Sequence, residues 1–362
     1  MLTLLVAAAG GAVFAQLGLP APWLTGAAIA VGLAAVAGAP IGVPFWLRHC
    51  SMIFIGTIMG NAVTPETFAQ LPSWPISLCG LLIVVLAMML AVSAYLERVH
   101  GFDAVTARLA CIPGNSTYVL ALAQESRANM QQVVTVQMMR LAVLLTCLPF
   151  LFDALGFVAV AGSTNGALSW ADLGQVAFLF VAGVVGGVIF NYVGFPAGSM
   201  CGAMFAGALC SGTGAIAVAI PDDLLVPGFI VIGAIAGASF AGADRKSLLA
   251  MLSAGVGAVV VGTAVALAAA VPVAWLMSVS VAQVWLAYAP GGADTMSILA
   301  LALGLEPTFV VSHHVIRMFG LGVVVPAWLH FYAPRSDNSD HRDGRREPPH
   351  ESGSDRRISP SD

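Results

Sequence analysis

Arg140 and Arg317 stand 177 residues apart, each inside a run of apolar side chains. Three positions before each lies another polar group, Gln137 in the first case and His314 in the second. Upstream of each is a helix-breaking triplet, Pro113-Gly114-Asn115 and Pro290-Gly291-Gly292, and the spacing from triplet to arginine is identical. Proline removes an intrahelical hydrogen bond and glycine accepts turn dihedrals, so both triplets free backbone N–H and C=O groups. In lipid such groups must meet protein, water or a ligand. Beyond each triplet the chain restarts as a half-helix, with Ser116 or Thr117 placed as N-cap in the first copy and Asp294 in the second. A fresh helix N-terminus carries partial positive charge and free N–H groups, which suits an anion. A guanidinium beside it adds a planar fork matched to carboxylate or phosphate.

The candidate binding set is therefore Pro113, Gly114, Asn115, Ser116, Thr117, Arg140, Pro290, Gly291, Gly292, Asp294 and Arg317. Asp294, His314 and Gln137 are candidates for coupling to H+ or Na+, since Asp294 offsets the helix-end charge and an imidazole titrates near neutrality. Plainer readings compete. The triplets could be packing kinks, Asp294 a bare cap, and the arginines structural partners of Asp103, Glu125, Asp294 or Glu306. Each arginine falls about nine residues into its segment, or ~14 Å at ~1.5 Å per residue, near the middle of a ~30 Å hydrocarbon layer. Snorkelling is difficult from that depth, so both should face the protein interior.

The elements that must position these groups are membrane helices. The 362 residues are 59% hydrophobic and 9% charged, with mean hydropathy +0.92. Soluble domains carry about 25% charged residues, so this chain cannot coat a water-facing surface. The net charge of −4 says little, because the stretch 334–362 alone holds six Arg and seven Asp/Glu and has a disordered composition. The start, Met1-Leu2-Thr3-Leu4-Leu5-Val6, lacks a basic leader region and reads as an uncleaved first span. Cys50, Cys79, Cys111, Cys147, Cys201 and Cys210 form no C-x-x-C pair and read as small core residues. No i,i+4 histidine pair or His/Cys cluster points to a metal, no phosphate loop or hydrolase motif points to a cofactor or enzyme, and no basic, aromatic-interleaved surface points to nucleic acid.

The recurrence extends beyond the triplets. Gly18-Leu19-Pro20-Ala21 matches Gly194-Phe195-Pro196-Ala197, and Ile55-Gly56-Thr57-Ile58-Met59-Gly60 matches Ile232-Gly233-Ala234-Ile235-Ala236-Gly237. The expected fold is an all-α polytopic membrane protein of two repeats, each with about five transmembrane helices and one broken or re-entrant helix. The first repeat is placed at 1–160, a linker at 161–172, the second repeat at 173–333 and a disordered cytoplasmic tail at 334–362. Six apolar segments can be drawn per half, at 2–18, 22–38, 46–62, 74–96, 102–124 and 131–153, then at 173–193, 197–218, 226–241, 247–276, 280–303 and 308–330. If the broken fifth segments re-enter, the halves are inverted, and Arg48, Arg98, Arg127, Arg245, Lys246 and the tail share the cytoplasmic side, as the positive-inside rule asks. Inverted repeats with broken helices are an architecture of secondary transporters.

With its paired Pro-Gly triplets and the downstream Gln137-x-x-Arg140 and His314-x-x-Arg317, the chain resembles the AbrB-like integral membrane family over nearly all of residues 1–332. Asn115 replaces the second glycine in the first copy, and Asp294-Thr295-Met296 stands where a glutamate before methionine is more usual. The resemblance implies a multi-pass protein of the bacterial inner membrane. Its labels, transition-state regulator and ammonia monooxygenase, imply control of gene expression or metal-centred oxidation, and the residues support neither mechanism. The reading from the residues is a transporter-like protein for a small anionic metabolite. A membrane-embedded regulator or sensor is the alternative and a monooxygenase the weaker one. Membrane lipid and a second copy in a homo-oligomer are the expected partners.

Overall fold

The structure is a computed structural model and describes residues 1–331 except 64, 115, 158–169, 214, 215, 217, 219, 243 and 244. Regular structure among the described residues is entirely helical. The order is α1 (Leu2–Gln16), α2 (Pro22–Val36), α3 (Phe45–Asn61), α4 (Pro65–Gln70), α5 (Trp74–His100), α6 (Ala104–Ala110), α7 (Ser116–Glu125) and α8 (Met130–Ala154). It continues with α9 (Trp170–Tyr192), α10 (Gly198–Gly212), α11 (Leu225–Ala238), α12 (Arg245–Ala250), α13 (Leu252–Met277), α14 (Val281–Tyr288), α15 (Ala293–Ala302) and α16 (Pro307–Phe331).

The longer helices are apolar over most of their circumference, and a helix meets its own backbone hydrogen-bonding needs where no water is present. Five are long and apolar enough to cross a membrane: Trp74–His100, Met130–Ala154, Asp172–Tyr192, Leu252–Met277 and Pro307–Leu329. The 15-residue helices α1 and α2 reach only ~22 Å at ~1.5 Å per residue, short of a ~30 Å core unless the ends are carried by loops. All twelve apolar segments read from the sequence correspond to helices, and the fifth of each half is split, into α6 with α7 and α14 with α15. The linker expected at 161–172 lies mostly outside the described residues, and its last three positions already belong to α9. The tail expected at 334–362 lies outside them altogether.

Close approaches fix how the helices run. Gly80 faces Val273, Met88 faces Gly262 and Tyr95 faces Gly257, so α5 and α13 are antiparallel. Gly233 packs on Leu24 and Gly237 on Ala28, so α2 and α11 run parallel. Gly56 packs on Met200 and Gly60 on Met204, so α3 and α10 run parallel as well. In both of those pairs one helix comes from each half of the chain. The loops leading into α2 and α10 share one backbone: Gly18 and Gly194 have φ of 65° and 72°, and the N-caps Ala21 and Ala197 have φ of 46° and 50°. A left-handed alanine costs on the order of 1–2 kcal/mol, so both turns hold strain that the packing around them must sustain.

The split fifth segments are hairpins. At the foot of α8 the Asn129 N–H donates to Thr106 Oγ1 at 2.8 Å, and farther along Arg140 Nη1 donates to Ile112 O at 2.8 Å. Thus α6 runs alongside α8 in the same direction, and α7 must bring the chain back to its starting level before α8 begins. The second half repeats this: Gln283 Nε2 donates to Glu306 Oε2 at 3.5 Å, and Arg317 Nη1 to Ala289 O at 2.7 Å. Burial pushes the Glu306 carboxyl up, and the hydrogen bonds from Thr67 and Gln283 only partly offset this. Asp103 caps α6 by accepting from the N–H groups of Val105 and Thr106 at 3.1 and 3.0 Å. Asp103→Ala is expected to cost about 1 kcal/mol. A drop of a few degrees in the apparent Tm of the detergent-purified protein would register it, and an unchanged Tm would show that the cap contributes nothing.

One expectation is corrected. Cys111 and Cys201 are buried and Cys210 is half-buried, but Cys50, Cys79 and Cys147 are exposed on the outward faces of α3, α5 and α8. A uniformly apolar helix does not reveal from its composition which face turns outward to lipid.

Candidate functional site

The first helix of each hairpin ends at a Pro-Gly triplet, leaving carbonyls with no partner in the next turn. The arginine set supplies those partners. Arg140 Nη1 donates to Ile112 O at 2.8 Å, and its Nη2 donates to Gln137 Oε1. Gln137 Nε2 reaches the same Ile112 O at 3.2 Å and, more loosely, the carbonyls of Leu109 and Ala110 at 3.5 Å. In the second half Arg317 Nη1 donates to Ala289 O at 2.7 Å and Nη2 to Gly291 O, while His314 Nε2 bonds Leu286 O at 3.1 Å. A positive group at a helix C-terminus also complements the partial negative charge there. The carboxylates weighed as ion-pair partners have other roles or positions. Asp103 caps its own helix, Glu306 accepts from Gln283, Asp294 accepts from the Thr295 N–H at 2.8 Å, and Glu125 is exposed.

The first break meets the arginine of the second half. Gly114 has φ +81°, and a Cβ there would lie 3.1 Å from Arg317 Nη2, so the guanidinium of the second half lies against the break of the first. The left-handed φ favours glycine, and a Cβ there would press on the guanidinium. Beside this contact lies a cavity of about 610 Å³ lined by Gly114, Arg140, Gly292, Ala293, Asp294 and Thr295, with apolar walls from α2, α8, α11 and α15. Arg140 is 5% exposed and its Nε has no partner among the described residues. A smaller pocket of about 170 Å³ adjoins it and shares Arg48, Met52, Ala197 and Asp294.

Of the residues read from the sequence, Gly114, Arg140, Gly292 and Asp294 line the cavity. Pro113, Pro290, Gly291, Gln137, His314 and Arg317 are not among its lining; they are buried behind it. Asn115 lies outside the described residues, as do the side chains of Ser116 and Thr117, although α7 does begin at Ser116. Asp294 is not the N-cap expected of it. Gly292, extended at φ −81° and ψ 153°, takes that place, and Asp294 sits in the first turn of α15. His314 is fully buried; its Nε2 faces a carbonyl, which can only accept, so Nε2 is the donor, and Nδ1 has no partner among the described residues. His313 faces away from the cavity, bonded to Ser77 Oγ at 2.6 Å and Phe309 O at 2.7 Å.

Sequence reasoning missed Arg48 and Ala197. Arg48 is exposed and lines both pockets near the start of α3; in the sequence its only signal is that of a topological charge. Ala197 was noticed as a landmark of the recurrence; its signal was the repeated Gly-x-Pro-Ala loop, which is the strained turn that leads α10 to the site. Among the described residues no three His, Cys, Asp or Glu side chains converge as a metal site would require.

Residues 23–333 match the family described as "Transition state regulatory protein AbrB". Two relatives cover nearly the full length. One is the "Putative regulator AbrB" of Escherichia coli (strain K12), 26% identical over 338 residues, 89% of this chain and 94% of the relative. The other is the "Uncharacterized protein YhjN" of Bacillus subtilis (strain 168), 24% identical over 376 residues, 94% and 95% respectively. No solved structure matches. A family match over most of the chain, carried on apolar helices fit for a multi-pass membrane protein, establishes that this chain belongs to the AbrB family.

Proposed function

We propose that the protein is a secondary transporter of a small organic anion in the bacterial inner membrane, bound in the cavity between the two hairpins. The carrying observation is that one cavity is lined by both helix breaks and by a buried arginine whose Nε has no partner among the described residues. Guanidinium and helix N-terminus together favour a carboxylate or phosphate. Asp294, the carboxylate in the lining, is the better coupling group for H+ or Na+. His314, behind Arg317, has its Nε2 spent on the Leu286 carbonyl, and its Nδ1 meets no acceptor among the described residues.

The architecture proposed with this function is an inverted repeat of residues 1–160 and 173–333, joined by 161–172, with the tail 334–362 in the cytoplasm. Support comes from helix directions. α5 and α13, which hold matching places in the two halves, are antiparallel. The starts of α6, α7 and α8 at 104, 116 and 130 and of α14, α15 and α16 at 281, 293 and 307 are each 177 apart. In this arrangement the hairpins re-enter from opposite faces and their tips meet at midplane. Val43 and Arg48 near the start of α3, and Ser239 and Phe240 just past the end of α11, form one rim, so the cavity opens toward the arginine-bearing side.

The test is flux. Purified protein in proteoliposomes should move at least one member of a broad organic-anion panel, with a rate that changes under an imposed proton or sodium gradient. Absence of flux across the panel, together with absence of any ligand-induced thermal shift, sinks the reading. Reporter tags within 161–172 and after 334 should fall on opposite sides of the membrane. A second reading, a membrane-embedded regulator, is favoured by the printed name of the E. coli relative. It would show a co-purifying partner and altered gene expression with no flux.

A further inference from the structure

Resting on the anion-site reading above, we infer that the cavity is built for a monoanionic organic acid with an apolar body, held head-in by Arg140 and met at the rim by Arg48. Size is the first argument. At ~30 Å³ per water, a cavity of about 610 Å³ has room for roughly twenty. An inorganic anion would leave most of it wet, whereas small-molecule sites fall in this size range. The walls are the second. Met52, Leu145, Ile232, Ile235, Ile298 and Met318 line it from five helices, with Arg140, Asp294 and Thr295 beside the helix breaks, Arg48 and Ser239 at the rim and Thr146 on α8. A few polar groups in a mostly apolar cavity fix a ligand's orientation, and the apolar remainder rewards a hydrocarbon body.

Charge is the third argument. The cavity is lined by two cations, Arg48 and Arg140, and by one carboxylate, Asp294. With Asp294 ionised and no coupling ion on it, the lining carries one net positive charge, which a monoanion neutralises and a dianion overshoots; the Arg317 guanidinium, behind the lining against Gly114, is engaged by Ala289 O and Gly291 O. Asp294 therefore acts as the specificity-determining residue, discriminating by charge count. Arg48, exposed where the two pockets join, draws anions inward and adds to the on-rate more than to the depth of binding.

Thermal-shift titration of the detergent-purified full-length chain tests this with acetate, propionate, butyrate, valerate and hexanoate, their neutral amides, inorganic phosphate, and succinate and adipate. Affinity should rise about fourfold per added methylene, the ~0.8 kcal/mol of a buried CH₂. The amides should bind at least tenfold more weakly than the acids, and Arg140→Met should abolish the difference. Asp294→Asn should invert the charge preference, with adipate gaining at least fivefold relative to hexanoate; a merely structural Asp294 would weaken both equally. Phosphate or acetate binding as tightly as hexanoate, or amides matching acids, overturns the inference while anion flux in proteoliposomes can still stand. If no anion binds at all, the inference falls, and the flux measurement separately decides the transport reading.

Discussion

Arg317→Met is expected to lower the apparent Tm of the purified protein by about 3–10 °C, and Arg140→Met by less. Methionine keeps the volume of the side chain and removes its donors. In the second half that orphans the carbonyl of Gly291 and leaves Ala289 O with only the Gly291 N–H at 2.8 Å. An unmade buried hydrogen bond costs roughly 1–3 kcal/mol, a sizeable part of a total stability on the order of 5–15 kcal/mol. His314 cannot step in, because its one donor is spent on Leu286 O. In the first half Gln137 Nε2 already reaches Ile112 O at 3.2 Å, so that carbonyl keeps a donor after Arg140 is truncated. The two variants therefore separate: Arg317→Met loses folded protein, whereas Arg140→Met stays folded and loses anion binding. Equal Tm losses in the two would refute this division of labour, and scanning fluorimetry on both variants measures it.

Gly202→Leu is expected to be at least as damaging. A Cβ at Gly202 would collide with the backbone of Gly186, its carbonyl oxygen closest, and would lie 2.7 Å from Phe190 Cβ. Backbone atoms cannot rotate out of the way, so α9 and α10 must separate along their length. Overpacking typically costs 1–3 kcal/mol and more where nothing yields. Here about 3 kcal/mol or outright loss of monodisperse protein is expected. Gly174→Leu on the same α9, with nothing within 4 Å among the described residues, is the control and should change stability by less than ~0.5 kcal/mol. Size-exclusion profiles and Tm values of the pair decide the matter; a well-behaved Gly202→Leu would mean that the α9–α10 contact is looser than the structure has it.

Much of the fold was legible because membrane helices announce themselves by composition, and Pro113-Gly114 and Pro290-Gly291-Gly292 break them visibly. The split of each fifth segment and the inward burial of both arginines followed from the cost of bare polar groups in an apolar medium. What the arginines touch did not follow. Carbonyls at a helix end have no side-chain signature, so four carboxylates looked like the natural partners of Arg140 and Arg317. The cap at Gly292 was hidden because a glycine caps without any side-chain bond, and Asp294, two residues on, has the better-known capping chemistry. Arg48 escaped for a different reason. A charge at the end of an apolar run is explained well enough by the membrane interface, and only the third dimension brings α3 beside α15.

The parallel pairing of α2 with α11 and α3 with α10 has a consequence for biosynthesis. Leu24 meets Gly233, so a contact surface completed early must wait for a segment made 209 residues later. At ~5–20 residues per second, ribosomes leave the early surface unmatched for roughly 10–40 s. During that time the small-residue faces of α2 and α3 sit in the bilayer as open seams, available to any helix with a similar face. A chain released after residue 157 would carry those seams permanently. It should be a substrate for membrane proteolysis and not a stable half-protein.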